Sequence, residues 1–187
     1  MVMERAARMT AEVAEVQQND DSERKGMRTA AALLNGESID LLSYLKEQPP
    51  AEQMGLRTGM VRTLLRNIVL PREDSATESS LVSLSAIRAL SGNSAEISAI
   101  CSELQKILKQ YRQHRLQVKE QLDDAIRSQL KQKLLQKGQR IDDEMSINPA
   151  MHPQYQEELA RMFSDLNEQY NQAIEQRRAA IRQRLGG

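Results

Sequence analysis

The second half of this chain is a long helical pattern broken in one place. Between Asn93 and the carboxyl terminus the only prolines are Pro149 and Pro153, both within the stretch DDEMSINPAMHP that runs from Asp142 to Pro153. A proline after Asn148 pushes that residue away from helical backbone angles, whereas Pro153 suits the first turn of a new helix. The interruption is too short for another domain. A chain that stops and restarts a helix here is expected to turn back on itself, forming a long antiparallel helical hairpin over residues 93–187 with its turn at about 138–152.

The flanking residues have the periodicity such a hairpin needs. Ile97, Ile100, Leu104, Ile107 and Tyr111 alternate steps of three and four, the spacing of a coiled-coil seam, and His114 takes the next position. Leu122, Ile126, Leu130 and Leu134 then recur every four residues, so the stripe drifts around the helix and a regular supercoil is not sustained. On the far side Leu159, Phe163, Leu166, Tyr170, Ile174, Ile181 and Leu185 mark a second long amphipathic helix. At 1.5 Å per residue the first helix is about 65 Å long and the second about 50 Å. The first turns of the longer one, Ile97 to Leu108, are therefore expected to pack against whatever precedes them. Gly138 either ends the first helix or is passed on the way to Met145.

Residues 1–92 read as a bundle of short helices. Val2, Ala6, Met9, Val13 and Val16 form an apolar stripe ending in polar QQNDDSE, and a second helix is expected from Lys25 to Leu34, stopped by Asn35-Gly36. Ser38 is placed to cap a short helix carrying Ile39, Leu42 and Leu45, and Pro50 to start the next. That helix, running to Leu70, gathers Val61, Leu64, Leu65, Ile68 and Val69 into its last turns, where deep burial is expected. Ser75 and Glu78 form a capping box ahead of Leu81, Val82, Leu84, Ile87 and Leu90, and Asn93 with Glu96 is a further capping signal. No alternating run of β-branched residues suggests a sheet, and aromatics are 3% of the chain with no Trp. The expected fold class is all-α, a small amino-terminal bundle over 1–92 joined to the hairpin.

Few residues suggest chemistry. Cys101 and His114 are thirteen apart on one expected helix, about 20 Å along its axis, too far for a nucleophile and its base. Cys101 is read as a small buried residue and His114 as a polar position that sets register. His152 follows Asp142, Asp143 and Glu144, but the spacing matches no established metal loop, so this is read as a solvated tip. No glycine-rich phosphate loop is present. No catalytic residue, cofactor or metal is expected, and the chain is read as non-enzymatic. The single Cys excludes an intramolecular disulfide, the charged amino terminus is unlike a signal peptide, and no apolar run is long enough for a membrane span. A cytoplasmic location is the expectation.

The charge pattern is the one feature that points to a surface. Basic and acidic residues balance at 26 each, so any cationic surface must be local. Lys106, Lys109, Arg112, Arg115 and Lys119 follow one another with no acid among them, as do Arg177, Arg178, Arg182 and Arg184. A hairpin turning between Gly138 and Pro153 would set residues 177–184 beside a window within 106–121, making one collar able to meet anions or an acidic partner. The scarcity of aromatics argues against stacking on single strands. The leading expectation is a protein-interaction module, of scaffold, adaptor or chaperone-like kind, acting through the hairpin and taking a protein partner or a second copy of itself. Nucleic-acid association through the collar is the alternative.

Overall fold

In a computed structural model, which describes residues 2–71, 76–138 and 148–186, the chain is all-α, as the composition implies. The helices are α1 (Val2–Leu34), α2 (Leu41–Glu47), α3 (Pro50–Arg66), α4 (Ala76–Leu90), α5 (Ala95–Gln136) and α6 (Tyr155–Leu185), with a 3-10 turn at Pro149–Met151. Contacts group into two compact units: Met1–Lys106 with Ile174–Gly187, and Ile107–Ala173. This division falls inside α5 and α6.

The first unit is organised around α1, which runs unbroken through the polar segment expected to end it. Asn, Asp and Ser disfavour a helix only slightly and Gln and Glu are good helix formers, so tertiary packing carries the helix through this segment readily. The packing here is a backbone contact. A Cβ on Gly26 of α1 would lie 2.1 Å from the Leu56 carbonyl oxygen, and one on Gly59 of α3 would lie 2.0 Å from the Glu23 carbonyl oxygen. A Cβ on Gly55 would meet Asn19 and the Ser22 side chain at 2.8–2.9 Å. Each mid-helix glycine costs about 0.5–1 kcal/mol relative to Ala, so these three are tolerated for the approach they allow. Polar groups fasten the edges: Lys25 donates to Gln48 Oε1 at 2.8 Å and pairs with Glu52, while Arg62 pairs with Glu23. Of the amino-terminal stripe, Val2, Ala6, Met9 and Val13 have side chains outside the described set, and Val16 is exposed.

The helix ends follow local chemistry. α1 stops at Asn35-Gly36, where Gly36 has φ +100° and the amides of Gly36 and Glu37 return to Leu33 and Ala32. The cap of α2 is Asp40 rather than Ser38: its carboxylate accepts from the amides of Leu42 and Ser43 at 3.1 Å. Asp40 sits immediately before the helix, within reach of those amides. α3 ends at Arg66, four residues sooner than its apolar pattern suggests, leaving Ile68 buried and Val69 half-exposed. Two fully buried serines of α4 explain the early stop. Ser80 Oγ donates to the Asn67 carbonyl at 3.1 Å and accepts from Val69 N at 3.3 Å, and Asn67 donates to Ser83. Ser75 lies outside the described residues. Asn93 adopts φ +58° in the turn after α4, and α5 begins two residues later.

The core of this unit is aliphatic: Leu45, Leu56, Met60, Leu64, Leu84, Ile87, Leu104 and Ile181 are all essentially inaccessible to solvent. Each contributes about 1.5–3 kcal/mol by burial. Of the apolar residues of α4, Leu81 and Val82 are partly exposed, because the inward face of the helix is taken by Ser80, Ser83, Leu84 and Ile87.

An exposed helical glycine gains stability on conversion to alanine. Gly59→Ala is expected to do the reverse and lower the unfolding free energy by about 1–3 kcal/mol, because the added carbon must push two backbones apart. Urea denaturation checks the sign.

Candidate functional site

The residues expected to carry function lie on α5 and α6. The inward stripe of α5 is Ile97, Cys101, Leu104, Leu108, Tyr111, Val118, Leu122 and Ile126. This is the expected heptad spacing in the other phase, with Cys101 and Leu108 inward in place of Ile100 and Ile107. Both phases share Ile97, Leu104 and Tyr111, so periodicity did not distinguish them. One consequence falls on His114, which is exposed, while the partly buried Arg115 holds its guanidinium 4.5 Å from the centre of the Phe163 ring.

In the second unit, Ile107–Ala173, aromatic hydroxyls specify how α5 meets α6. Tyr111 donates to Asn167 Oδ1 at 2.6 Å and packs edge-on against Tyr170, with ring centres 5.3 Å apart. Tyr170 Oη lies 3.5 Å from His114 Nδ1. Near the start of α6 the buried Tyr155 donates to Asp123 Oδ1 at 2.5 Å, and Lys119 reaches the other oxygen of that carboxylate at 2.8 Å. Leu122, Ile126 and Tyr155 form a small core there, flanked by Leu130, Leu159 and Met162. Partners that ascend α5 while descending α6 make the pairing antiparallel within this unit. Four of the five aromatic side chains of the protein lie between Tyr111 and Tyr170, and that concentration is the signal from which the seam could have been read.

The cations of the expected collar have particular partners. Lys106, Lys109 and Arg112 are exposed. Arg115 lies over Phe163 and Lys119 is paired with Asp123. In the first unit Arg177 pairs with Glu103 at 3.2 Å and Arg184 with Glu96 at 2.5 Å. Glu175 receives both Arg178, at 3.2 Å, and Arg182, and Arg178 also donates to the Ile68 carbonyl at the end of α3. The structure thus brings Arg178 and Arg182 together on one carboxylate and sets Arg177 and Arg184 against α5 at Glu103 and Glu96, rather than against residues 106–121. α5 runs on to Gln136, thirteen residues past Asp123, which accepts from Tyr155 at the start of α6, so the residues of α6 pair nearer the amino terminus of α5 than a turn midway between Gly138 and Pro153 would give.

Burial works to raise the Asp123 carboxyl, yet the hydrogen bonds from Lys119 and Tyr155 outweigh it and hold the group below its ordinary range. Glu175 is the same case, with burial opposed by Arg178 and Arg182. The bond to Asp123 raises both the Tyr155 hydroxyl and the Lys119 ammonium. Cys101 is fully buried, and its thiol is raised by that burial while the neighbouring Arg88 pulls weakly the other way. His152 accepts from the Gln154 amide, and Asp142, Asp143 and Glu144 lie outside the described residues. Among the described residues no three His, Cys, Asp or Glu side chains converge as a metal site, and no helix is long and apolar enough to cross a membrane.

The geometry thus defines an all-α protein whose α1 and α3 pack through glycines and whose α5 and α6 meet along a hydrogen-bonded aromatic seam. The chain belongs to a family of unknown function, DUF6657, whose model matches residues 42–183. No curated protein and no solved structure matches it. The match starts inside α2, so α1 lies outside it.

A carboxyl depressed in the folded state stabilises the fold above its unfolded pKa and ceases to do so as pH falls through the folded value. Asp123 and Glu175 start from ordinary values of 3.8 and 4.5, so their contribution disappears on acidification below about pH 4. Thermal melts followed by circular dichroism from about pH 6 to about pH 3 are expected to show a falling midpoint. The fall is expected to be smaller in the Asp123→Asn, Glu175→Gln double variant.

Proposed function

We propose that the protein is a non-enzymatic interaction module, of scaffold, adaptor or chaperone-like kind, which presents the paired helices of residues 107–173 to a protein partner or to a second copy of itself. One observation carries this. The second unit consists, among the described residues, of two helices and a 3-10 turn, a layer that covers one side of each helix, and it leaves Leu116 62%, Leu135 58% and Met151 83% exposed. The hydrogen-bonded tyrosine seam supports the reading because it gives a thin two-helix layer a fixed register, and a fixed register makes a surface specific. A cytoplasmic setting belongs to the same proposal and fits a lone, buried thiol.

Nucleic-acid association through the nine cations has weaker support. Arg115, Lys119, Arg177, Arg178, Arg182 and Arg184 already have partners within the protein, which reduces the charge they offer to phosphates.

Crosslinking in native lysate followed by purification, with and without nuclease, separates the two. The proposal expects crosslinked species that survive nuclease and are lost in Leu116→Glu and Leu135→Glu variants with unchanged helicity. Species that vanish on nuclease treatment and persist in both variants contradict it and favour the alternative.

A further inference from the structure

Within the first unit an open groove of about 360 Å³ lies between the end of α1, the loop into α2 and the outer face of α4. Its apolar wall is Leu33, Ile39, Leu41, Val82, Ala86 and Ala89. Ser85 and Asp40 are the other residues lining it, and Asp40 is the one that carries a charge.

Three properties bear on what would fit. The α4 side is built from Val82, Ser85, Ala86 and Ala89, residues short enough for another backbone to come close, as helix packing at small residues requires. Val82 is 42% exposed, so apolar surface is open at the rim. The charge in the lining is acidic. Asp40 stands at one side, and Glu78, exposed one turn before Val82, lies on the same face of α4. Asp40 uses Oδ1 to cap α2 and accepts the Ser43 hydroxyl on Oδ2 at 2.8 Å, which leaves acceptor capacity on the second oxygen. The Ser43 hydrogen bonds hold its carboxyl below the usual range, with a smaller contribution from the charge of Lys46, so it is ionised at neutral pH.

We propose that this groove docks a basic amphipathic helix of a partner protein, an aliphatic side chain filling the space between Leu33 and Val82 and a Lys or Arg one turn away meeting Asp40 and Glu78. An acidic helix of the same apolar pattern is repelled by the same two carboxylates, so the rim selects as well as attracts. The groove belongs to the first unit, and the proposal does not rest on the exposed residues of α5 in the second.

The probe is a model peptide of about 18 residues, five helical turns, with Leu on one face and Lys on the other, titrated into the full-length isotope-labelled protein and followed by amide chemical shifts. A second peptide carries Glu in place of every Lys. Expected are shifts confined to residues 33–41 and 78–89 with the Lys peptide, none with the Glu peptide, and affinity weakened about tenfold in the Asp40→Asn, Glu78→Gln variant, where Asn still caps α2. Ala89→Trp, which fills the groove from an exposed position, is expected to abolish the shifts while the rest of the spectrum is preserved. Equal binding of the two peptides, shifts centred on other residues, or no binding of the Lys peptide would each overturn the proposal.

Discussion

Gly26, Gly55 and Gly59 let the backbones of α1 and α3 come within van der Waals contact, and the first unit is arranged about that contact. With α1 against the middle of α3, the Leu56, Met60 and Leu64 side chains are directed into a core shared with α4. The end of α3 is then met from two directions. Ser80 of α4 donates to the carbonyl of Asn67, which caps α3, Ser83 accepts from the Asn67 side chain, and Arg178 of α6 donates to the Ile68 carbonyl. Buried polar groups placed at a helix terminus are costly when unsatisfied, so each of these partners also constrains where the next helix lies. A packing of small residues thereby fixes the position of charged and hydroxylic ones some distance along the chain.

Much of this was legible in the residues, for reasons that differ by element. The all-α class, the stop at Asn35-Gly36 and the start at Pro50 follow from short-range chemistry, in which one or two residues decide the backbone. What was missed depends on partners remote in sequence. The polar run after Val16 reads as an end, yet the helix continues because α3 lies against it. Asn93 reads as a cap and acts as a left-handed turn residue. The seam of α5 was found in spacing and misjudged in phase, since Ile100 and Ile107 are larger than Cys101 or similar to Leu108, and size on one helix carries no information about the facing helix. The candidate cations were named from their clustering, but the clustering could not reveal Glu96, Glu103 and Glu175 opposite them.

Those carboxylates alter what the cationic residues do. A guanidinium already facing a carboxylate or a ring gives orientation to the helix pair more than attraction to a distant anion, and an exposed pair of this kind contributes only about 0–1 kcal/mol to stability. Register within the second unit is set instead by Tyr111, Tyr155 and their acceptors, each a directional bond between α5 and α6. Among the described residues, Leu116, Leu135 and Met151 of the second unit and Val82 in the groove of the first leave apolar surface open to solvent.

Native-state hydrogen exchange addresses the central contact directly. If α1 is packed backbone to backbone on α3, the amides of residues 22–27 and 55–60 exchange together and only through global unfolding, with the same dependence on denaturant. Rapid exchange of residues 22–27, as from an isolated helix, while 55–60 stay protected would contradict this account of the fold.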